Sequence, residues 1–173
     1  MPPDALTPPV DDSDHVLGGP AAELELVMFA DFQCPYCHAA QPEVRRLREQ
    51  FGERLLYAFR HMPNPRKHPM AESASEASEA ASAQGRFWEY HDALYASQPK
   101  LGEALYLEAA EELGLDAERL DTELHEGRWR ERVERDHQSG LASGVTGTPS
   151  FFVNGRLHNG GHDAQSLAAA LSP

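Results

Sequence analysis

The chain has 173 residues, 40% of them hydrophobic and 25% charged, with a formal net charge of −13. That describes one ordinary globular domain, or one domain with a large insertion. Nucleic acid and anionic membrane surfaces would be repelled by such a charge, which argues against either as a partner. No apolar run approaches the roughly 20 residues needed to span a bilayer.

Met1 to Pro20 carries Pro2, Pro3, Pro8, Pro9 and Pro20 among Asp4, Asp11, Asp12 and Asp14. Residues 1–20 therefore read as a flexible, loosely attached leader. With neither a basic start nor an apolar h-region, it does not read as a secretory signal. A chain starting at Met1 is then expected in the cytoplasm, unless a signal or a fused membrane protein stands upstream.

The run Leu24-Glu25-Leu26-Val27-Met28-Phe29-Ala30 suits a mostly buried strand. It leads into Phe32-Gln33-Cys34-Pro35-Tyr36-Cys37-His38, which holds the only two cysteines of the chain. Ala40, Val44, Leu47 and Phe51 then mark one face of a helix that Gly52 stops. Pro35 takes the first helical position, where a missing N–H costs nothing, and Pro42 is expected to kink the helix.

Cys34 thus meets unpaired N–H groups and the positive end of a helix dipole, both of which favour thiolate. Such a setting lowers a cysteine pKa from about 8.5 into the range of roughly 3.5–7.5. Cys37, one turn further in, can attack a mixed disulfide on Cys34. Cys34 attacks and Cys37 resolves. Other chemistries remain to be weighed against this one. A structural zinc site needs more ligands than two thiolates and His38. Covalent haem through Cys34-Pro35-Tyr36-Cys37-His38 needs a distal ligand and a helix-rich pocket. A redox sensor without turnover, or two inert thiols, needs nothing further.

Arg54 to Arg60 reads as a second strand, parallel to the first through the helical crossover. The prolines of Met62 to Pro69 make a loop, with His61 and His68 as surface residues. From Met70 to about Ser143 the pattern is helical. Ala74, Ala77 and Ala81 offer a small-residue face, and Phe87, Trp88, His91, Leu94 and Tyr95 an apolar side. Asp116 is placed to cap a later helix. Glu103, Glu108, Glu111, Glu112, Glu118 and Glu123 read as solvated faces. The last third returns to strand: Ser150 to Val153, the hairpin signal Asn154-Gly155, then Arg156 to His158. A closing helix spans about Asp163 to Leu171. Strand, helix, strand, helices, hairpin and helix make a mixed α/β fold.

Cys34-Pro35-Tyr36-Cys37 at a strand-to-helix junction, with Gly144-Val145-Thr146-Gly147-Thr148-Pro149 before a hairpin, resembles the thioredoxin superfamily. The helical block narrows the likeness to the DsbA-like thiol–disulfide oxidoreductases, from about His15 to Leu171, and Pro42, Trp88 and His91 fit it. The resemblance implies a thioredoxin-fold domain from residues 21–62 and 144–173, with a helical domain, 63–143, inserted. It implies a cis Thr148–Pro149 bond facing the cysteines, with Thr148, Pro149, Pro35 and Tyr36 binding substrate. The redox centre would be the Cys34–Cys37 disulfide, with no metal or other cofactor. Partners would be client proteins with thiols or disulfides, and a recycling redox partner or glutathione.

Two departures stand out. Met28 occupies the place of a buried acid that many relatives use as proton acceptor for the resolving cysteine; Asp31 could substitute through water. The Pro-Tyr dipeptide, as in glutaredoxins, implies a less oxidising disulfide than the strongly oxidising members have. The rival functions are glutathione-linked oxidoreductase or isomerase chemistry and a redox-controlled binding module. Oxidase, isomerase and reductase share these motifs, so the direction of electron flow stays open.

Overall fold

The structure is a computed structural model and describes residues 4–172. In chain order it runs β1 (His15–Leu17), β2 (Leu24–Ala30), α1 (Pro35–Phe51), β3 (Leu55–His61), α2 (Ala71–Ala83) and α3 (Phe87–Ala96). Then come α4 (Glu103–Glu112), α5 (Ala117–Glu126), α6 (Arg130–Ala142), β4 (Ser150–Val153), β5 (Arg156–Leu157) and α7 (Ala164–Leu171). The strands form one sheet in the order β1-β3-β2-β4-β5. β2 and β3 are parallel, Leu24 opposite Leu55 and Ala30 opposite His61, because α1 carries the chain back between them. β4 and β5 close as a hairpin through Asn154 and Gly155, at φ 48° and 82°. Positive φ at both central residues is what a two-residue hairpin turn demands.

β2 is the central strand, and alternation along it divides the interior. Leu26, Met28 and Ala30 face the larger core, shared with α1, α7 and the helices of the inserted block. Val27 and Phe29 face a smaller one with Leu6, Met62, Val145 and Phe152. Both faces are covered, which is why β2 reads as a continuous apolar run. Each large side chain so buried contributes about 1.5–3 kcal/mol relative to exposure. In the helical block, Ala74, Ala77 and Ala81 are fully buried, as the small-residue face predicts. The Asp116 carboxylate caps α5 by accepting from the Arg119 N–H at 3.0 Å.

The structure corrects three expectations. Met1 to Pro3 of the expected flexible leader lie outside the described residues, but Asp4 onward is packed. The Leu157 N–H donates to the Asp4 carbonyl at 2.8 Å and the Leu6 N–H to that of Gly155 at 2.9 Å, lengthening the sheet beyond β5. Residues 15–17 are themselves a strand, paired with β3. The cause is Arg60, which is buried and must place its donors. Its guanidinium grips both Asp14 oxygens at 2.8 Å, the Pro8 and Pro9 carbonyls at 2.9 and 3.2 Å, and Ser139 Oγ at 2.9 Å. Composition cannot reveal a partner 46 positions away.

His61 is not a surface residue but fully buried at the end of β3. Its Nε2 lies 2.7 Å from Glu79 Oε2 on α2, and His15 Nε2 lies 2.6 Å from the same oxygen. The His15 ring stacks on Phe87 with centroids 3.6 Å apart. Burial opposes the Glu79 charge, yet hydrogen bonds from the two histidines hold its carboxyl well below the usual carboxylate range. This cluster joins β1 and β3 to the helical block. Glu123 is likewise no solvated acid: it is buried, accepting from Trp129 Nε1 at 2.8 Å and Arg119 Nε at 2.9 Å.

Candidate active site

Beyond Ala30 the chain turns through Asp31, Phe32 and Gln33 into α1, and the fully buried Asp31 carboxylate organises that turn. Its Oδ1 accepts from the N–H groups of Gln33 at 2.8 Å and Cys34 at 3.2 Å. Its Oδ2 accepts from the Asn64 N–H at 2.9 Å and His68 Nδ1 at 2.8 Å. An Asp bonded to the backbone two residues on is an Asx turn. It sets Cys34 as the N-cap of α1 in extended geometry, φ −71° and ψ 121°, with Pro35 following as the first helical residue. From the helical block, Gln98 Nε2 donates to the carbonyls of Phe32 at 2.8 Å and Cys34 at 2.9 Å. The Met70 N–H donates to Gln33 Oε1 at 2.8 Å.

The two sulfurs are free thiols of unlike environment. Cys37 is sealed at 0% exposure, while Cys34 keeps 3%. Cys34 Sγ lies 3.7 Å from the Thr148 carbonyl oxygen, so the loop before β4 reaches the nucleophile. The Thr148–Pro149 bond is cis. Four of the expected residues, Cys34, Cys37, Thr148 and Pro149, are therefore brought together. Pro35 opens the helix, and Tyr36 projects into solvent at 73% exposure.

The Cys34 thiol is lowered to about 5, first by a hydrogen bond from the Cys37 thiol. The Thr148 side chain and the backbone of Cys37 and Tyr36 add to this, against the effect of burial. Cys37 is pushed well above its ordinary value by burial, and further by the neighbouring Cys34. At neutral pH the sulfur at the helix start is an anion and the one behind it holds its proton deeper in the interior. A thiolate so placed can attack a disulfide, and the second thiol sits ready to displace what has become attached.

The position six residues before Cys34 holds Met28, fully buried, whose sulfur accepts from the Tyr57 hydroxyl at 3.3 Å. Asp31, His68, Gln98 and Met70 complete the surroundings of Cys34 and are not obvious from spacing. Only Asp31 carried a usable signal, the Asx-turn pattern at a strand end. His68, expected as a surface residue, is tied to Asp31 with its side chain 19% exposed. Beside Thr148, Met62, Pro63, Leu141 and Val145 line an open groove of about 560 Å³.

The family model for thioredoxin matches residues 11–172. The chain belongs to the thioredoxin family. Its fold is that of the DsbA-like members. It superposes on a thioredoxin-like oxidoreductase from Silicibacter pomeroyi with TM-score 0.81 and 30% identity, covering 92% of this chain and 91% of that one. Against oxidised BdbD from Bacillus subtilis the TM-score is 0.87 at 22% identity, covering 97% and 96%. Against Wolbachia pipientis alpha-DsbA1 it is 0.79 at 18%, covering 94% and 90%. The thioredoxin-family chain is also 44% identical to the Na(+)/H(+) antiporter NhaA 3 of Salinispora tropica, over 97% of its own length but 26% of that protein. Its match to the NhaA antiporter of Herminiimonas arsenicoxydans is 44% identical, over 98% of this chain and 27% of that one. The chain spans about a quarter of the length of these curated relatives.

Proposed function

We propose that this chain exchanges disulfides with client proteins through Cys34 and Cys37, using the internal disulfide as its redox centre and no metal or other cofactor. The observation that carries this reading is the pairing of a thiol with 3% exposure at a helix start and a fully sealed one behind it, against the cis Thr148–Pro149 peptide. In the reducing direction the Cys34 thiolate attacks one sulfur of a client disulfide. A Cys34–client bond forms, and the client's other sulfur leaves as thiolate. Cys37 then loses its proton and attacks Cys34 Sγ, releasing the second client thiolate and leaving Cys34 and Cys37 bonded. Two electrons pass to the client. The oxidising direction reverses each step, with a client thiolate attacking Cys34 of the bonded pair.

A client of polypeptide nature is supported by the surface. The exposed large apolar residues among those described are Val16, Tyr36, Met70 and Leu141. Tyr36 follows Cys34 by two positions, Met70 is hydrogen-bonded to Gln33, and Leu141 lines the groove that ends at Thr148. Apolar groups gathered at a nucleophile suit a protein chain better than glutathione alone. Thr148, Pro149, Pro35 and Tyr36 are assigned to seating that chain. The longer relatives are named for sodium–proton exchange; none of the described helices of this chain is long and apolar enough to cross a membrane.

The test is turnover of a disulfide-bonded protein with a dithiol reductant. Cys34→Ala should abolish exchange, and Cys37→Ala should accumulate a mixed disulfide that a reducing gel resolves. Exchange that survives Cys34→Ala, or a wild type that never forms a reversible Cys34–Cys37 bond, overturns the proposal. Turnover of glutathione disulfide alone would move the function to the glutathione-linked class.

A further inference from the structure

A second pocket, of about 420 Å³, opens between α2, α4 and α5 on the helical side of the nucleophile. Its inner surface is apolar, made by Met70, Leu101, Tyr106 and Leu124. Its rim is acidic: Glu76 from α2, Glu103 from α4 and Asp121 from α5. Tyr106 is fixed at the base, its hydroxyl 2.7 Å from Ser73 Oγ. Met70, with 37% of its surface exposed, links the pocket to the active site, because its N–H bonds Gln33, the residue before Cys34. One hydrogen bond thus joins a residue lining the pocket to the residue before Cys34.

Rim and floor together match one kind of side chain, an apolar stem ending in a positive charge. His125 already spans the rim, with Nδ1 2.9 Å from the Asp121 carbonyl and 3.3 Å from Asp121 Oδ1, and Nε2 3.5 Å from Glu103 Oε1. The contact with Glu103 is long enough for another cation to take its place. Of the rim carboxylates Glu103 is the most open to a newcomer, its side chain 63% exposed against 34% for Asp121. A free anionic ligand such as glutathione would be repelled here.

We propose that this pocket selects clients by receiving a lysine or arginine side chain that lies a few residues from the client cysteine. The inference rests on the reading of the chain as an enzyme acting on client proteins, and names the kind of client it prefers. An extended client advances about 3.3 Å per residue, so the position of the preferred residue relative to the attacked sulfur measures how far the pocket lies along the bound chain. Two partly solvated carboxylates should give roughly a threefold to tenfold rate preference, weakening with added salt.

The experiment uses oxidised protein and otherwise neutral cysteine peptides, with Lys, Leu or Glu at each of the four positions on either side of the thiol. The expected result is faster exchange for Lys over Leu over Glu at one or two positions on one side only. The double variant Glu103→Gln/Asp121→Asn should erase that preference. Glu111→Gln/Glu112→Gln removes the same net charge elsewhere on α4 and should leave the preference intact. Reaction with a small uncharged thiol should be unchanged in both variants. No positional preference, or a preference that both variants reduce equally, overturns the proposal, the latter by tracing it to overall charge. In either case exchange with neutral peptides continues and the function stands. Failure to exchange with any peptide or small thiol would instead bring down the function itself, and the pocket's role with it.

Discussion

The acidity of Cys34 depends first on a single neighbour, and removing that neighbour gives a sharp test. In Cys37→Ala the thiol that donates to the Cys34 thiolate is gone, while the Thr148 side chain and the backbone of Tyr36 remain. A hydrogen bond to a charged acceptor contributes about 1.5–3 kcal/mol, and one pKa unit corresponds to about 1.4 kcal/mol. Cys34 should therefore titrate roughly one to two units above the wild-type value of about 5. Cys37→Ser keeps a donor in place and should rise by less. The variants leave Cys34 as the only thiol, so thiolate absorbance or the pH dependence of alkylation reports it directly. A Cys37→Ala midpoint that does not move, or that falls, would refute the account and shift the cause to the helix start and Thr148.

The same lowered value predicts a pH-dependent stability gap. Cys34 titrates at about 5 in the folded reduced protein against 9.0 ordinarily, so between those values the unfolded chain binds more protons and stability rises with pH. Relative to the oxidised form, the reduced protein should gain about 4 kcal/mol from pH 5 to about pH 8, and lose it again on acidification to pH 5; paired denaturant titrations measure this. A thiolate acidity between those of thioredoxin and DsbA should place the disulfide's potential between about −270 and −120 mV, read by equilibration with glutathione. Arg60→Met should destabilise the fold by about 3–5 kcal/mol and expose residues 4–14 to protease, because Asp14 would remain buried without its partner. Asp31→Asn turns an NH₂ group toward backbone N–H donors or abandons His68; a loss of about 2–3 kcal/mol is expected in thermal melts.

Much of this was legible in the residues. Alternation and period gave β2, α1, β3 and the hairpin, and Asp116 announced its own helix start, because each of those signals is local. The site could be read to the same extent: Cys34 and Cys37 are three positions apart, and the chemistry of a thiol at a helix N-terminus follows from backbone geometry alone. What could not be read depends on partners far along the chain. Thr148 meets Cys34 across 114 positions, and it was placed beforehand only through a family resemblance. His61 looked like a loop residue because its partners, His15 and Glu79, lie on other elements. The N-terminal stretch looked disordered since proline and aspartate lack apolar area, and the guanidinium that fixes them sits on β3.

These non-local contacts explain how a reactive sulfur can sit on a firm base. A lowered thiol pKa requires fixed donors: a mobile Cys34 would exchange them for water and return to ordinary acidity. Asp31 fixes the backbone of Gln33 and Cys34 from below, and the same carboxylate holds Asn64 and His68 of the loop after β3. Gln98 fixes the Cys34 carbonyl from the helical side. The loop after β3 is in turn bounded by His61, which Glu79 of α2 holds together with His15 of β1. The inserted helices and the sheet therefore share polar groups at two depths, one beneath the nucleophile and one behind it. Loosening the deeper cluster, as by Glu79→Gln, should raise the Cys34 pKa without touching either sulfur. An unchanged titration in that variant, with the fold intact, would show that the Asp31 turn holds Cys34 on its own.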